Sequence, residues 1–261
     1  GFLSRQISVG KLSLKTGVDF LKTMKESDYK KRLESILKDN VSSITGELHL
    51  MKGPIMKAGQ MLSMYAGEIL PDEARELLKS LENQSFYLEW DEIKKEIPYA
   101  LLKDLEFEKN PLAAASLGQV HLAKVKSTND VLAVKIQYRG VRKAIKNDVK
   151  SLRFLLKTLK LLPKTDNLDE LFDEIKEMLR QETDYENELS CLVEYKEKLG
   201  SSSCFKVPKA YSEYSFENVL ALEYMEGISL RDEAFLSISQ DKRDLIGHEF
   251  LKLFLLELFV W

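Results

Sequence analysis

Apolar residues in this chain recur with two different periods, and the changes between them mark its organisation. Over residues 41–66 the apolar positions Ile44, Leu48, Met51, Ile55, Leu62 and Tyr65 follow helical spacing. Gly53-Pro54 lies in the middle, where proline suits the first turn of a new helix. Pro71-Asp72-Glu73-Ala74-Arg75 opens another helix in the same way, with acids in its first turn. From residue 105 to 138 the pattern becomes that of short strands, over 118–125 and 131–138, with Ser127-Thr128-Asn129-Asp130 as the hairpin turn between them. Helical spacing returns over 141–162 and 168–199, and Gly200 closes the second segment. An extended stretch near residues 206–210, a strand over 219–224, a turn at Glu226-Gly227 and a terminal helix from about Asp241 complete an α+β arrangement.

Composition narrows the class without changing that picture. With 261 residues, 44% hydrophobic and 31% charged, the chain can bury a sizeable core, which excludes a disordered tail, a collagen-like repeat and a disulfide-stapled mini-protein. Lysine and arginine total 39 against 42 acids, a net charge of -3, so no global field draws the chain to nucleic acid and no nucleic-acid partner is expected. Cys191 and Cys204 have no CxxC spacing; they read as reduced thiols, and no metal site is assigned. No leader of the secretory kind is visible, and the expected location is cytoplasmic, with peripheral membrane attachment left open. Residues 250–261 are strongly apolar but short and interrupted by Lys252 and Glu257, which predicts a buried helix and not a membrane span. A start at Gly1 and a stop inside an apolar helix suggest a piece of a longer protein.

Candidate chemistry concentrates on one strand and the segments around it. Alternation puts Val131, Ala133, Lys135 and Gln137 on one face of their strand. Lys135 is then either a solvent-facing lysine or an ammonium aimed at phosphates, beside an alanine small enough to admit a flat base. Upstream, residues 111–120 (PLAAASLGQV) give a turn of small residues between two strands, stiffer than a glycine loop because alanine lacks glycine's freedom at positive φ. On the helix predicted over 168–199, Glu188 borders the apolar stripe and can face the sheet, while Glu182 falls inside it, where a carboxylate needs a cationic partner. Rotation of the helix would instead leave both in water. Lys57 and Gln60 share one helical face, and Gly59 between them permits close approach of a neighbour.

In their joint order these features resemble the UbiB family of atypical kinases, the AarF-like proteins of the wider protein-kinase-like superfamily. Lys57-Ala58-Gly59-Gln60 looks like the family's KxGQ motif, Ala113-Ala114-Ala115-Ser116 like its alanine-rich nucleotide loop, and Ala133-Val134-Lys135 like its strand lysine. Glu182-Thr183-Asp184 is similar to its ExD motif and Glu188 to the helix glutamate that pairs with the lysine. Residues 220–227 resemble the hinge, implying backbone contacts from Glu223 and Met225 to adenine. The resemblance implies ATP and ADP binding with Mg2+, kinase or ATPase activity in ubiquinone and isoprenoid-lipid metabolism, and lipid-biosynthesis enzymes as partners. It implies Lys135 and Glu188 as catalytic residues. It also implies a division into a helical extension (1–104), an N-lobe with inserted helices over 141–162 (105–225), and the start of a helical C-lobe (226–261). The catalytic loop and metal ligands of such a kinase would lie beyond Trp261. A nucleotide-gated scaffold without phosphoryl transfer is the alternative.

Between Arg139 and Lys164 lie nine basic residues and one acid, Asp148, beside an apolar stripe of Ile145, Val149, Leu152, Leu156 and Leu159. That segment is either a solvated helix face or a surface for an anionic membrane. Residues 1–25, with five basic side chains and one acid, carry the same two readings.

Overall fold

The computed structural model describes residues 53–65, 70, 74, 75, 78, 87–158, 161, 162, 168–200 and 204–261. The expectations for residues 1–52 and 71–73, and for Lys160 and Lys164, lie outside the described residues. Helix α1 (Pro54–Tyr65) begins at its proline. Gly53, at φ +89°, turns the chain just before it, and Pro54 lacks an N–H where a helix needs none.

Two short helices, α2 (Trp90–Ile93) and α3 (Tyr99–Asp104), lead into an antiparallel sheet. Its strands are β1 (Leu105–Phe107), β2 (Ala113–Ala114), β3 (Gly118–Val125), β4 (Val131–Gln137) and β5 (Val219–Glu223), in the order β1-β3-β4-β5 with β2 also paired to β3. Only Ala115, Ser116 and Leu117 of the small-residue segment form the turn, because Ala113 and Ala114 pair with Val120 and Gln119 as strand. Asn129, at φ 65°, takes the left-handed position of the β3–β4 hairpin, which asparagine tolerates better than most residues. Register places Val120, Lys135 and Leu220 side by side across three strands, with Leu122, Ala133 and Leu222 in the next row.

The opposite face of the sheet holds one core: Ala123, Leu132, Val134, Ile136, Val219 and Ala221 pack on Ile93, Ile97 and Leu101. Two polar side chains, Gln119 and His121, are fully buried there. The Gln119 side chain exchanges two hydrogen bonds with the Leu88 backbone, accepting at 2.8 Å and donating at 3.1 Å. His121 Nδ1 lies 2.8 Å from the Glu108 carbonyl, which can only accept, so Nδ1 carries the proton. Nε2 then accepts from the Gln119 amide at 2.8 Å. Burial holds the His121 pKa below its ordinary 6.5, partly opposed by the Glu108 bond.

The neutral folded imidazole resists a proton that the unfolded chain takes up. Stability therefore stays level above about pH 6.5 and falls as pH drops below it, by at most about 1.4 kcal/mol per unit from this group. Urea midpoints between pH 5.5 and 7.5 should show that slope, and His121→Gln should remove it. An unchanged slope in the variant would assign it to other groups.

Helices α4 (Val141–Thr158), α5 (Leu168–Glu182) and α6 (Tyr185–Leu199) follow β4. The second core joins Ile55 and Leu62 of α1, Ile145, Leu152 and Leu156 of α4, and Phe172, Ile175 and Leu179 of α5. Leu117, from the turn before β3, inserts into this cluster and so fastens the turn to the helices.

Two expectations need correction here. The helix predicted over 168–199 is two helices, broken at Thr183-Asp184. Residues 250–261, predicted to be buried, belong to the exposed helix α8 (Gln240–Phe259), which follows the short α7 (Glu233–Leu236); Leu251 is 55% and Phe259 75% exposed. Apolar side chains surround α8 on every side, so one neighbour cannot cover them. Ring contacts near it among the described residues include Phe250 on Phe205 and, just past its end, Trp261 on Tyr195. No helix among the described residues is long and apolar enough to cross a membrane.

Candidate functional site

The break between α5 and α6 is built from three side chains. Thr183 is fully buried and its hydroxyl donates back to the Leu179 and Arg180 carbonyls, closing the last turn of α5. Asp184 caps α6 by accepting from Asn187 N at 3.2 Å. Gln137, at the end of β4 and 6% exposed, donates to the Thr183 carbonyl at 3.0 Å and fixes this elbow to the sheet. On the outer side, Arg142 at the start of α4 reaches both Asp184 and Glu217 at 3.3 Å.

The elbow sends two carboxylates into one cavity. Glu188, in the first turn of α6, receives two hydrogen bonds from Lys135 Nζ, at 2.8 and 3.1 Å. The ammonium also sits 4.7 Å from the ring centroid of buried Tyr185, a cation–π contact. Burial raises the Tyr185 pKa and the nearby Glu188 charge raises it further, so the phenol stays protonated. Glu182, the last residue of α5, meets Lys57 of α1 at 2.8 Å.

The cavity has a volume of about 750 Å³ and is lined by Lys57, Gln60, Lys135, Glu182 and Glu188 together with Ala115, Ser116 and Gly118 of the turn. Met61, Met64, Tyr65 and Met178 give it an apolar side. Gly118 lets the turn lie close over β4, since a Cβ there would be 2.4 Å from the Ile136 carbonyl oxygen.

Several sequence-derived candidates fall elsewhere. Gly59 is buried within α1, and Ala113 and Ala114 lie on the exposed strand β2. Asp184 is turned to Arg142, away from the cavity. Ala133 shares the sheet face of Lys135 one row away but does not line the cavity. Glu223 ends β5, its side chain held by Lys206 at 2.9 Å and by the Lys209 N–H at 3.0 Å, which together hold its carboxyl below the usual range. Met225, just beyond, is 37% exposed.

Gln137, Arg142, Asn187 and the methionines of α1 are participants that sequence reasoning missed. The helical spacing of Lys57, Gln60, Met61, Met64 and Tyr65 was the available signal for the last group.

Glu182 does not occupy the buried position its stripe predicts. Thr183 takes that place and Glu182 is 38% exposed against 26% for Lys57. A half-exposed pair contributes less than a buried one, so Lys57→Ala should cost about 1 kcal/mol rather than the several expected of a buried partner. A calorimetric melting temperature only a few degrees lower would agree with this. A loss of ten degrees or more would mean that the pair is far more deeply desolvated.

Comparison with known proteins adds a family to this geometry. The ABC1 atypical kinase-like domain matches residues 89–261. The chain is 34% identical to the mitochondrial atypical kinase COQ8 of Saccharomyces cerevisiae, over 85% of this chain and 45% of that protein. It is 32% identical to the mitochondrial COQ8 of Schizosaccharomyces pombe, over 80% and 35% respectively. It therefore spans less than half the length of these curated relatives. Among solved structures, Rv3197 of Mycobacterium tuberculosis, determined with erythromycin, superimposes with a TM-score of 0.50 and 28% identity, covering 83% of this chain and 56% of that one. The mixed α/β fold, an N-lobe sheet with a helical extension, is accordingly protein-kinase-like. Matched by the ABC1 domain across more than half of its length, this chain belongs to the UbiB/AarF-like family of atypical kinases.

Proposed function

We propose that this chain is the nucleotide-binding part of an atypical kinase or ATPase serving ubiquinone or other isoprenoid-lipid metabolism. In this reading residues 1–104 are the helical extension, 105–225 the nucleotide lobe and 226–261 the start of a second lobe. The observation that carries it is the Lys135–Glu188 pair, held in one cavity with the tight turn from Ala115 to Gly118. A cation fixed by a carboxylate beside close-approaching backbone suits the phosphates of ADP or ATP. Adenine would lie beside that cavity and not within its described lining, against Ala133 one row along the sheet, with the backbone from Glu223 to Met225 at its edge. Among the described residues no three His, Cys, Asp or Glu side chains gather to hold a metal.

The 261-residue chain should bind ADP and ATP weakly and with similar affinity, since the turn of Ala115, Ser116 and Leu117 has no glycine to supply positive-φ positions that wrap a γ-phosphate. It should release no phosphate. Titration calorimetry with each nucleotide beside a phosphate-release assay tests both points. Absence of binding would overturn the site as drawn. Phosphate release lost in Lys135→Ala would place catalytic groups within this chain.

A further inference from the structure

We propose that Tyr185 is a positioning residue for Lys135, the face of its ring holding the ammonium beside Glu188 while leaving the charge open to an anion. The first sign is how this tyrosine is buried. It is 1% exposed, yet it joins neither of the two apolar cores. Its hydroxyl is enclosed as well. The Gln137 side chain lies close enough to act on it, but no hydrogen bond of ordinary geometry joins the two or gives the hydroxyl another partner among the described residues. An enclosed hydroxyl without a partner is costly, so packing and hydrogen bonding alone would favour phenylalanine at this position. The ring, by contrast, has a partner in Lys135 Nζ, 4.7 Å from its centroid.

Two spacings bring ring and ammonium together. Tyr185 and Glu188, three residues apart in the first turn of α6, share one helix face, and Lys135 and Gln137, two apart on β4, share one sheet face. Gln137 donates to the Thr183 carbonyl at 3.0 Å and Lys135 to Glu188 at 2.8 and 3.1 Å, so strand and helix are tied at two points with Tyr185 between them. The ammonium then has the carboxylate on one side, the ring on another and the cavity that Lys135 lines before it.

The two holders act differently. Glu188 attracts the cation by its charge, but it also cancels that charge and occupies N–H donors that a phosphate would use. The ring face attracts it through a quadrupole, brings no net charge and takes no strong hydrogen bond. A cation held by both turns a donor from the carboxylate to an incoming anion without leaving its place, because the ring still holds it. Without the ring, a lysine that turns from the carboxylate loses its second holder, and the ligand must order the side chain itself. The consequence for nucleotide rests on the reading of Lys135 as the phosphate-binding cation; the placing of the ammonium does not.

Acylation of Lys135 by acetic anhydride, read by peptide mass spectrometry on the 261-residue chain without nucleotide, tests the placing. Lys209, whose own ring partner Tyr211 lies 4.2 Å away and stays unaltered, is the internal reference. Tyr185→Leu should raise the rate at Lys135 relative to Lys209 by roughly two- to fivefold, and Tyr185→Phe, which keeps the ring face, should restore the slow rate. A ring-trifluorinated phenylalanine at the same position packs like phenylalanine but has electron density withdrawn from its face, and should raise the rate again by a similar factor. ADP and ATP titrations on the same proteins read the consequence: the leucine and fluorinated variants should bind roughly two- to fivefold more weakly than the phenylalanine one. Equal labelling of Lys135 with and without fluorine overturns the proposal, even if the leucine variant fails to fold. So does nucleotide affinity that falls in Lys135→Ala but is the same with and without fluorine. Faster labelling with fluorine, together with nucleotide binding that none of these changes alters, Lys135→Ala included, would uphold the ring as holder of the ammonium and overturn the phosphate reading instead.

Discussion

Gly118→Ala is expected to destabilise the chain by about 3 kcal/mol or more, at the upper end of what overpacking costs. The added Cβ would stand 2.4 Å from the Ile136 carbonyl oxygen, 3.1 Å from its carbon and 3.2 Å from the Gln137 Cα. All three are backbone atoms of β4, paired to β3 in the central ladder, so no side chain can rotate aside to relieve the clash. Relief requires β3 to lift away from Gln137 or the turn from Ala115 to Gly118 to move. Either movement would withdraw Leu117 from the helical core and Ser116 from the cavity. Gly140→Ala provides the comparison. Nothing lies within 4 Å of a Cβ there, and the cost is the positive φ of +72° alone, about 1–2 kcal/mol. Urea midpoints for both variants check the ranking. A Gly118→Ala protein as stable as Gly140→Ala would mean that the two strands separate locally at little cost.

That close approach was not legible in the sequence, where Gly118 read as part of a small-residue turn and the first residue of a strand. The strands themselves were legible, because a period of two over residues 118–125 and 131–138 needs no knowledge of what covers the sheet. Pro54 as the start of α1 was legible for a similar reason, since proline constrains its own backbone wherever it occurs.

The elbow at Thr183 was hidden. The apolar period runs on from Met178 through Tyr185, so two helices at an angle write nearly the same pattern as one. What breaks the helix is a threonine hydroxyl bonding backward, an aspartate capping forward, and a glutamine 46 residues away donating to the carbonyl between them. Of these only the aspartate cap leaves a local signature.

The side chains that meet in the cavity were largely readable as individual candidates. Which of them share it was not, because that depends on register and on the angle of the elbow. Lys135 reaches the cavity while Ala133, one row away, does not, and Glu223 turns its carboxylate to Lys206. The burial predicted for α8 failed for another reason: an all-round apolar helix requires partners on every side, and the described residues supply few.

Exchanging the charges of the central pair should separate its two roles. Lys135→Ala alone is expected to weaken ADP and ATP binding by roughly ten- to hundredfold, the loss of a charge-assisted contact worth about 1.5–3 kcal/mol. Its effect on stability should be smaller, because Lys135 is 31% and Glu188 40% exposed and water screens much of their attraction. Glu188→Ala should also lower affinity, by releasing the ammonium from the position fixed by the two bonds of 2.8 and 3.1 Å. The double variant Lys135→Glu with Glu188→Lys restores an ion pair across the same gap and should recover most of the lost melting temperature. Its carboxylate now stands on β4, where phosphates would approach, and the cation has moved to the helix. Affinity should therefore stay at or below that of Lys135→Ala. Thermal melts and nucleotide titrations on the same four proteins read the two effects side by side. Recovery of both in the exchanged protein would show that the pair serves only to join sheet and helix and that phosphates bind elsewhere. Recovery of stability without affinity is the outcome that a phosphate-binding lysine, positioned by its carboxylate, requires.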